Sequence, residues 1–318
     1  MAARADILIL SWNRVEDTIA AIVSAHQQEG VEKTIQVVDQ GSEPANLARL
    51  REAVREMPET HLDEVGSNLG VAAGRNRAAR GGSAPYLVAL DSDAVFADSH
   101  TVARAVAHLD TASELCAVGF RITNFYSREN DATSWDYPSR HGPTERFSTT
   151  RVIGAGHAIR RSTFETVGGY DERLFFCGEE GDLCYRMLNT GLRIEYLPEC
   201  EILHKVSPEH RVEWGRGRFF YTVRNNLYSG YKFGTPLPRQ LLALGAFAVR
   251  GARNGIPLEA PRAAWAAWGM CRRFKASPED KRFYALAPDT VRYIADCEPA
   301  RRDSFLQKVA RQFRRLPS

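Results

Sequence analysis

The chain has 318 residues, of which 44% are apolar and 25% charged, the ordinary balance of a globular protein. Lys and Arg total 42 against 39 Asp and Glu, so the net charge of +3 singles out no partner and gives no reason to expect nucleic acid. No stretch reaches the roughly 18–20 apolar residues that a membrane span needs, and LLALGAFAV (241–249) reads as a buried helix.

In chain order, ADILILS (5–11) is an apolar run that ends in polar residues, and TIQVVDQGS (34–42) and YLVALDSD (86–93) repeat the pattern. Uninterrupted apolar strands belong in parallel sheets covered on both faces. Between them lie helix-period segments. Val15, Ile19, Ile22, Val23 and His26 share one face, as do Leu47, Leu50, Val54 and Met57. Strand, helix, strand, helix predicts a doubly wound α/β domain. Ligands of such sheets sit beyond the carboxyl ends of the strands. A parallel sheet therefore brings Ser11-Trp12-Asn13, Asp39-Gln40-Gly41-Ser42 and Asp91-Ser92-Asp93 to one crevice.

Beyond residue 116 the pattern changes. CAVGFRI (116–122) and GAGHAIR (154–160) are short strand candidates, and the polar and aromatic segment 124–150 reads as a long loop. Gly168-Gly169 marks a tight turn or a close backbone approach. A helix is expected from Glu180, with Leu183, Met187 and Leu188 on one face and Gly191 at its C-terminal cap. After residue 233, GTPLPRQ breaks the chain, and an Ala- and Arg-rich helical remainder sets a soft boundary near 235.

Asp91 and Asp93 place two carboxylates one residue apart at the end of a strand that should be buried. Either the motif is a turn with an Asx cap, or the repulsion is relieved by a hard cation. Mg2+ or Mn2+ takes oxygen ligands from one or two carboxylates and completes its shell with phosphate. Glu179, Glu180 and Asp182 open the expected helix, where helix-end electrostatics favour acids. Three acids within four residues, flanked by Gly178 and Gly181, also offer a general base. His204 closes the strand-like RIEYLPECEILH (193–204) and becomes a candidate ligand only if it lies near Asp91 and Asp93.

Six pieces in order, ILSWNR, VVDQGS, SNLGVAAGRNRAAR, LVALDSDAVF, the block from Gly154 to His204 and FFYTVRNN, resemble a family 2 glycosyltransferase of the GT-A fold, in its rhamnosyltransferase-like branch. The resemblance covers roughly residues 5–232. It implies a Rossmann-like, mostly parallel sheet flanked by helices in a nucleotide-sugar-binding and catalytic domain over 1–234, with a helical extension over 235–318. It implies that Ser11, Trp12, Asn13 and Asp39 line the pocket for base and ribose. Gly70 allows close backbone approach, with Arg75 and Asn76 behind it. Asp91 and Ser92 meet the ribose or the metal shell, Asp93 ligates Mg2+ or Mn2+, and His204 joins the metal or diphosphate shell. Gly154, Ala155 and Gly156 border the sugar, and Arg224 neutralises diphosphate charge. Glu180 matches the family's catalytic Asp but is one methylene longer, which leaves Glu179 or Asp182 open as the base.

The implied reaction is inverting transfer from a UDP- or dTDP-sugar, with dTDP-rhamnose favoured, to a hydroxyl on a saccharide, a lipid-linked or a small-molecule acceptor. A non-catalytic sugar-nucleotide-binding module and a sugar-nucleotide pyrophosphorylase are the alternatives. The rings of Phe125, Tyr126, Trp135 and Tyr137 either form an acceptor surface or pack the 124–150 loop onto the body. RRDSFLQKVARQFRRLPS (301–318) has the pattern expected of a basic amphipathic helix, either resting on an anionic membrane or an acidic partner or, solvated, docked by one face on the body. The C-terminal helices also leave a homodimer open. Cys116, Cys177, Cys184, Cys200, Cys271 and Cys297 show no CxxC spacing, and the N-terminus lacks a basic region, apolar core and cleavage site. Both features predict reduced thiols in a cytoplasmic protein, with peripheral contact at the inner face of the membrane as an option.

Overall fold

The computed structural model describes residues 4–138, 140–205, 216–275 and 277–298. The first half runs β1 (Ala5–Ser11), α1 (Val15–His26), β2 (Lys33–Asp39), α2 (Pro44–Arg55), β3 (Thr60–Glu64), α3 (Gly70–Arg80), β4 (Tyr86–Leu90), β5 (Ala94–Phe96), α4 (Thr101–Thr111) and β6 (Leu115–Asn124). Then follow β7 (Phe147–Thr149), β8 (Gly156–Arg160), α5 (Arg161–Thr166), a 3-10 turn (Glu172–Leu174), α6 (Glu179–Leu188) and β9 (Arg193–His204). Five helices close the described chain: α7 (Arg216–Lys232), α8 (Leu237–Arg253), α9 (Glu259–Arg273), α10 (Pro278–Tyr284) and α11 (Pro288–Cys297).

The strands form one sheet in the order β3-β2-β1-β4-β8-β6-β9-β5, with β7 added against β9. It is parallel through β3-β2-β1-β4 and mixed beyond, because β8 runs antiparallel to β4 and β6 while β6 and β9 are parallel. The apolar runs are buried on both faces. Ile7, Ile9, Ile35, Val37 and Val88 point into a core with Ala21, Ile22, Leu50, Val102 and Leu109 of α1, α2 and α4. Their neighbours Leu8, Val38 and Leu87 point into a second core with Ala72, Phe164, Leu183 and Met187 of α3, α5 and α6. Period-two alternation thus sends successive residues to opposite helical layers.

This topology assembles a site. Ser11 pairs in register with Asp39, and Ile9 with Leu90, so the ends of β1, β2 and β4 lie side by side. Leu90 pairs with Gly156, which sets the start of β8 beside the end of β4. Ala94 pairs with His204, which brings the end of β9 to the turn that carries Asp91 and Asp93.

Some elements differ from the sequence reading. The sheet-facing residues of α1 are Thr18, Ala21, Ile22 and Ala25; Val15 and Ile19 pack at its flank. Ala21 and Ala25 share that buried face with Thr18 and Ile22, so half of it carries too little bulk to show in the apolar period. In the 124–150 segment, Trp135, Tyr137 and Phe147 gather around Tyr196 of β9 at ring separations of 5.6, 5.1 and 4.8 Å. Packing accounts for Trp135 and Tyr137, whereas Tyr126 is exposed. The break near 235 falls between α7 and α8, yet Phe283 and Ile294 of α10 and α11 return to the second core. The six cysteines are free thiols. Among the described residues no helix is long and apolar enough to cross a membrane. The segment 301–318 lies outside the described residues.

Candidate active site

The turn from β4 into β5 carries Asp91, Ser92 and Asp93 to the carboxyl edge of the sheet. Ligand atoms of Asp91, Asp93 and His204 all lie within 4.8 Å of one another. Two carboxylate oxygens and an imidazole nitrogen at that spacing suit Mg2+ or Mn2+. Asp93 accepts a hydrogen bond from Arg14 at 2.5 Å, and its other oxygen lies 3.4 Å from His204 Nε2. His204 Nδ1 lies 3.1 Å from Asp131, whose carboxylate also accepts from Thr133 and Ser134 at 2.6 Å each. Burial opposes charge on this imidazole, but the hydrogen bonds to Asp131 and Asp93 outweigh it and push its pKa up to about 10. Burial also opposes charge on Asp93, and His204 and Arg14 still hold its carboxyl below the usual range.

Arg75 joins this turn to the start of α6. Its buried guanidinium, with a side chain 3% exposed, donates at 2.8 Å to Asp91, to Glu180 Oε1 and to the carbonyl of Gly154. Asp91 of the first acidic pair and Glu180 of the second therefore meet in one cluster around Arg75. Asp91 is its open member, with a side chain 41% exposed. A Cβ at Gly154 would push the Glu180 carboxylate from its place beside Arg75. Among the described residues, Arg75 is the one partner of Glu180, through Oε1. Glu179 is buried and its Oε2 has no hydrogen-bond partner; burial first, then Glu180 beside it, pushes its carboxyl well above the usual range.

The segment leading into α6 is bent hard. Phe175, Cys177 and Gly178 have φ of 61, 69 and 87°, a region that L side chains avoid. It is held from α7. Asn225 donates to the carbonyls of Leu174, Phe176 and Cys177 at 2.6–2.8 Å, and Arg224 donates to those of Arg173 and Leu174 at 3.1 and 2.7 Å. The close approach expected at Gly70 is made to Phe175, whose carbonyl accepts from Val71 N at 2.6 Å.

The expected residues thus divide. Asp91, Asp93, His204, Arg75, Glu180 and Gly154 meet; the main chain of Ala155 joins them by accepting from Asp91 N at 3.1 Å. Ser92 lies in the same turn, and Gly156 packs tightly against Ile202. Ser11, Trp12, Asn13 and Asp39 lie at the ends of β1 and β2. Asp39 is buried and caps its own turn, accepting from Gly41 N, Ser42 N and Ser42 Oγ. Asn13 has φ 61° and accepts from Glu43 N at 2.7 Å, while Trp12 is exposed. Three residues have other partners. Asn76 clamps Tyr170 through both of its main-chain groups. Asp182 is sealed against Arg186 and Lys232. Arg224 is engaged by main-chain carbonyls and stacks on Tyr221 at 4.7 Å.

Arg14, Asp131, His157 and Tyr170 were not singled out in the sequence. His157 donates to or accepts from Tyr170 at 3.1 Å, and Arg75 lies 5.8 Å over the Tyr170 ring. Burial, then the charge of Arg75, holds the His157 pKa down at about 4. Asp131 lies in the irregular 124–150 segment, where no periodicity marks it. Among the described residues, a cleft of about 910 Å³ lies elsewhere, lined by Asn76, Arg80, Phe164, Glu172, Arg186 and Tyr284.

The family model of glycosyl transferase family 2 matches residues 6–168. A pre-mycofactocin glycosyltransferase of Mycobacterium tuberculosis is 32% identical over 93 residues, 28% of this chain and 19% of the relative. An N-acetylglucosaminyl-diphospho-decaprenol L-rhamnosyltransferase of the same species is 42% identical over 53 residues, 17% of each chain. The match thus spans about a fifth of the length of these curated relatives. A mannosyltransferase from Pyrobaculum calidifontis, solved with GDP-Man and Mn2+, superposes with a TM-score of 0.59 at 19% identity, covering 98% of this chain and 86% of that one. That likeness carries the GT-A fold.

Proposed function

This chain belongs to glycosyl transferase family 2, and from that premise we propose that it moves a sugar from a nucleoside-diphosphate sugar to a hydroxyl acceptor, with inversion and with Glu180 as general base. The observation that carries the reading is the Arg75 bridge, at 2.8 Å to both Asp91 and Glu180. That bridge supports the reading, because it joins a candidate base to a cluster with the donor chemistry for a divalent cation.

Mg2+ or Mn2+ held by Asp91 and Asp93, and by His204 once the metal displaces its ring proton, would offset the charge that develops on the departing diphosphate. The protein's own groups do the rest. Asp131 fixes the orientation of the His204 ring through Nδ1. Arg75, itself held by the Gly154 carbonyl, fixes Glu180 through Oε1, which leaves the second oxygen to take the proton of an incoming hydroxyl as the new bond forms. A single displacement from the face opposite the leaving group inverts the anomeric carbon. The ends of β1 and β2, at Ser11 to Asn13 and at Asp39, border the space for base and ribose.

A UDP- or dTDP-sugar is the donor class, with dTDP-rhamnose the first to try. The relative named as an L-rhamnosyltransferase and the FFYTVRNN element support that choice. The chain is incubated with a panel of these donors and Mn2+. The expected result is release of the nucleoside diphosphate, abolished by a chelator, and a product of opposite anomeric configuration with acceptor present. Metal-dependent donor binding with no release on any acceptor would contradict the reading and favour a binding module.

A further inference from the structure

The helices after residue 233 invert the usual surface pattern. Leu258, Pro261, Trp265 and Trp268 follow one another at three- and four-residue steps and are all exposed. Trp265 is 72% and Trp268 50% exposed, with ring centres 5.0 Å apart. The opposite face of α9, at Ala260, Ala263 and Ala267, is buried with Phe219, Val223 and Leu227 of α7. On α8, Leu237, Leu241, Leu242 and Val249 are exposed, while Leu244, Phe247 and Ala248 turn to that same core. Scattered apolar residues are normal on a surface; a row of leucines and tryptophans on two packed helices is not.

The charge around these rows has one sign. Residues 237–275 hold seven Arg and Lys, at 239, 250, 253, 262, 272, 273 and 275, against one acid, Glu259. Glu259 is buried and paired with Arg262 at 2.8 Å. Arg272 lies 4.9 Å over the Trp268 ring, so a cation and an exposed indole form one unit.

We propose that α8 and α9 form a docking surface for an anionic phospholipid bilayer. Indole rings settle at the headgroup level, leucines enter the acyl boundary, and guanidinium groups pair with lipid phosphates. Charge decides against the other occupants. A second copy of the chain would bring the same cations face to face. The chain's own segment 299–318 carries Arg301, Arg302, Lys308, Arg311, Arg314 and Arg315 against Asp303, the same sign of charge as this surface. The surface stands independently of the catalytic reading, since it uses no group of the cleft.

The test uses the full chain with vesicles of mixed phosphatidylglycerol and phosphatidylcholine, and with vesicles of phosphatidylcholine alone. Co-sedimentation should favour the anionic vesicles by about tenfold or more at low salt and weaken as salt rises. Tryptophan emission should move to the blue on binding. Trp265→Ser with Trp268→Ser should cut binding about tenfold, with an unchanged melting temperature because both rings are exposed. If that variant folds poorly, Arg272→Gln with Arg273→Gln should weaken binding and flatten its salt dependence. Equal binding to both vesicle types overturns the proposal. So does undiminished binding by the tryptophan variant, which would hand the contact to another segment. Concentration-dependent self-association that the same variant abolishes overturns it in favour of a second copy.

Discussion

Glu180 and Asp182 leave the same first turn of α6 and enter opposite kinds of cluster. Glu180 joins Asp91 and Arg75 in a cluster that stays open to solvent at Asp91. Asp182 joins Asp171, Arg173 and Arg186 around Lys232, whose side chain is 0% exposed. The residue types are the same. In the sealed cluster every carboxylate has its cation within the chain, so its work is to lock α6 to α7. In the open cluster Asp91, Asp93 and Glu180 are paired with Arg14, Arg75 and His204, and ligand atoms of Asp91, Asp93 and His204 lie within 4.8 Å of one another, a spacing that a cation could use. Exposure and charge balance, not composition, separate a structural cluster from a reactive one.

Substitutions can break that contrast. The largest effect on folding is expected in the sealed cluster. Lys232→Met leaves Asp171 and Asp182 without their shared cation and should cost about 3 kcal/mol in denaturant unfolding. A loss as small as that of an exposed Lys would show the cluster is not sealed. Next comes pH. Burial raises the Asp171 pKa, but Lys232 and Arg173 pull it down to about 2. Its stabilisation is then complete above its unfolded pKa and fades as pH falls from about 4 towards 2, a span worth about 2 kcal/mol. Asp171→Asn should flatten that acid limb; an unchanged limb would contradict the pairing. The smallest effect sharpens the comparison from α7. Asn225→Ala frees three carbonyls of the bent segment before Glu179, and should lower turnover about tenfold while leaving donor affinity unchanged. A parallel loss of donor affinity would place Asn225 in the donor pocket instead.

How much of this was legible depended on the kind of signal. The strands β1, β2 and β4 were legible because burial on both faces demands unbroken apolar runs, and their polar ends marked the edge of the sheet. Helix α3 carries Arg75, yet its buried face is Gly, Ala, Arg and Asn, with no large apolar residue to give a period. It was found through resemblance, not periodicity. The pairing of Asp93 with His204, 111 positions later, depends on β5 running antiparallel to β9, which no local pattern encodes. Arg224 and Asn225 were legible as a motif and not as a task. An Arg beside an expected diphosphate reads as a charge partner, and only the hydrogen bonds to residues 173–177 tie it to the loop before α6. Asp182 was offered as a base because spacing cannot tell which of three acids on one turn points to solvent.

The most direct test of the single-cleft account is Glu180→Gln, measured at once for donor binding by calorimetry with Mn2+ and for transfer under saturating donor and acceptor. The account predicts donor affinity within about twofold of the parent and transfer slowed by about 100-fold or more. Transfer at the parental rate would contradict it, and the carboxylate across from Asp91 would then have no part in the chemistry.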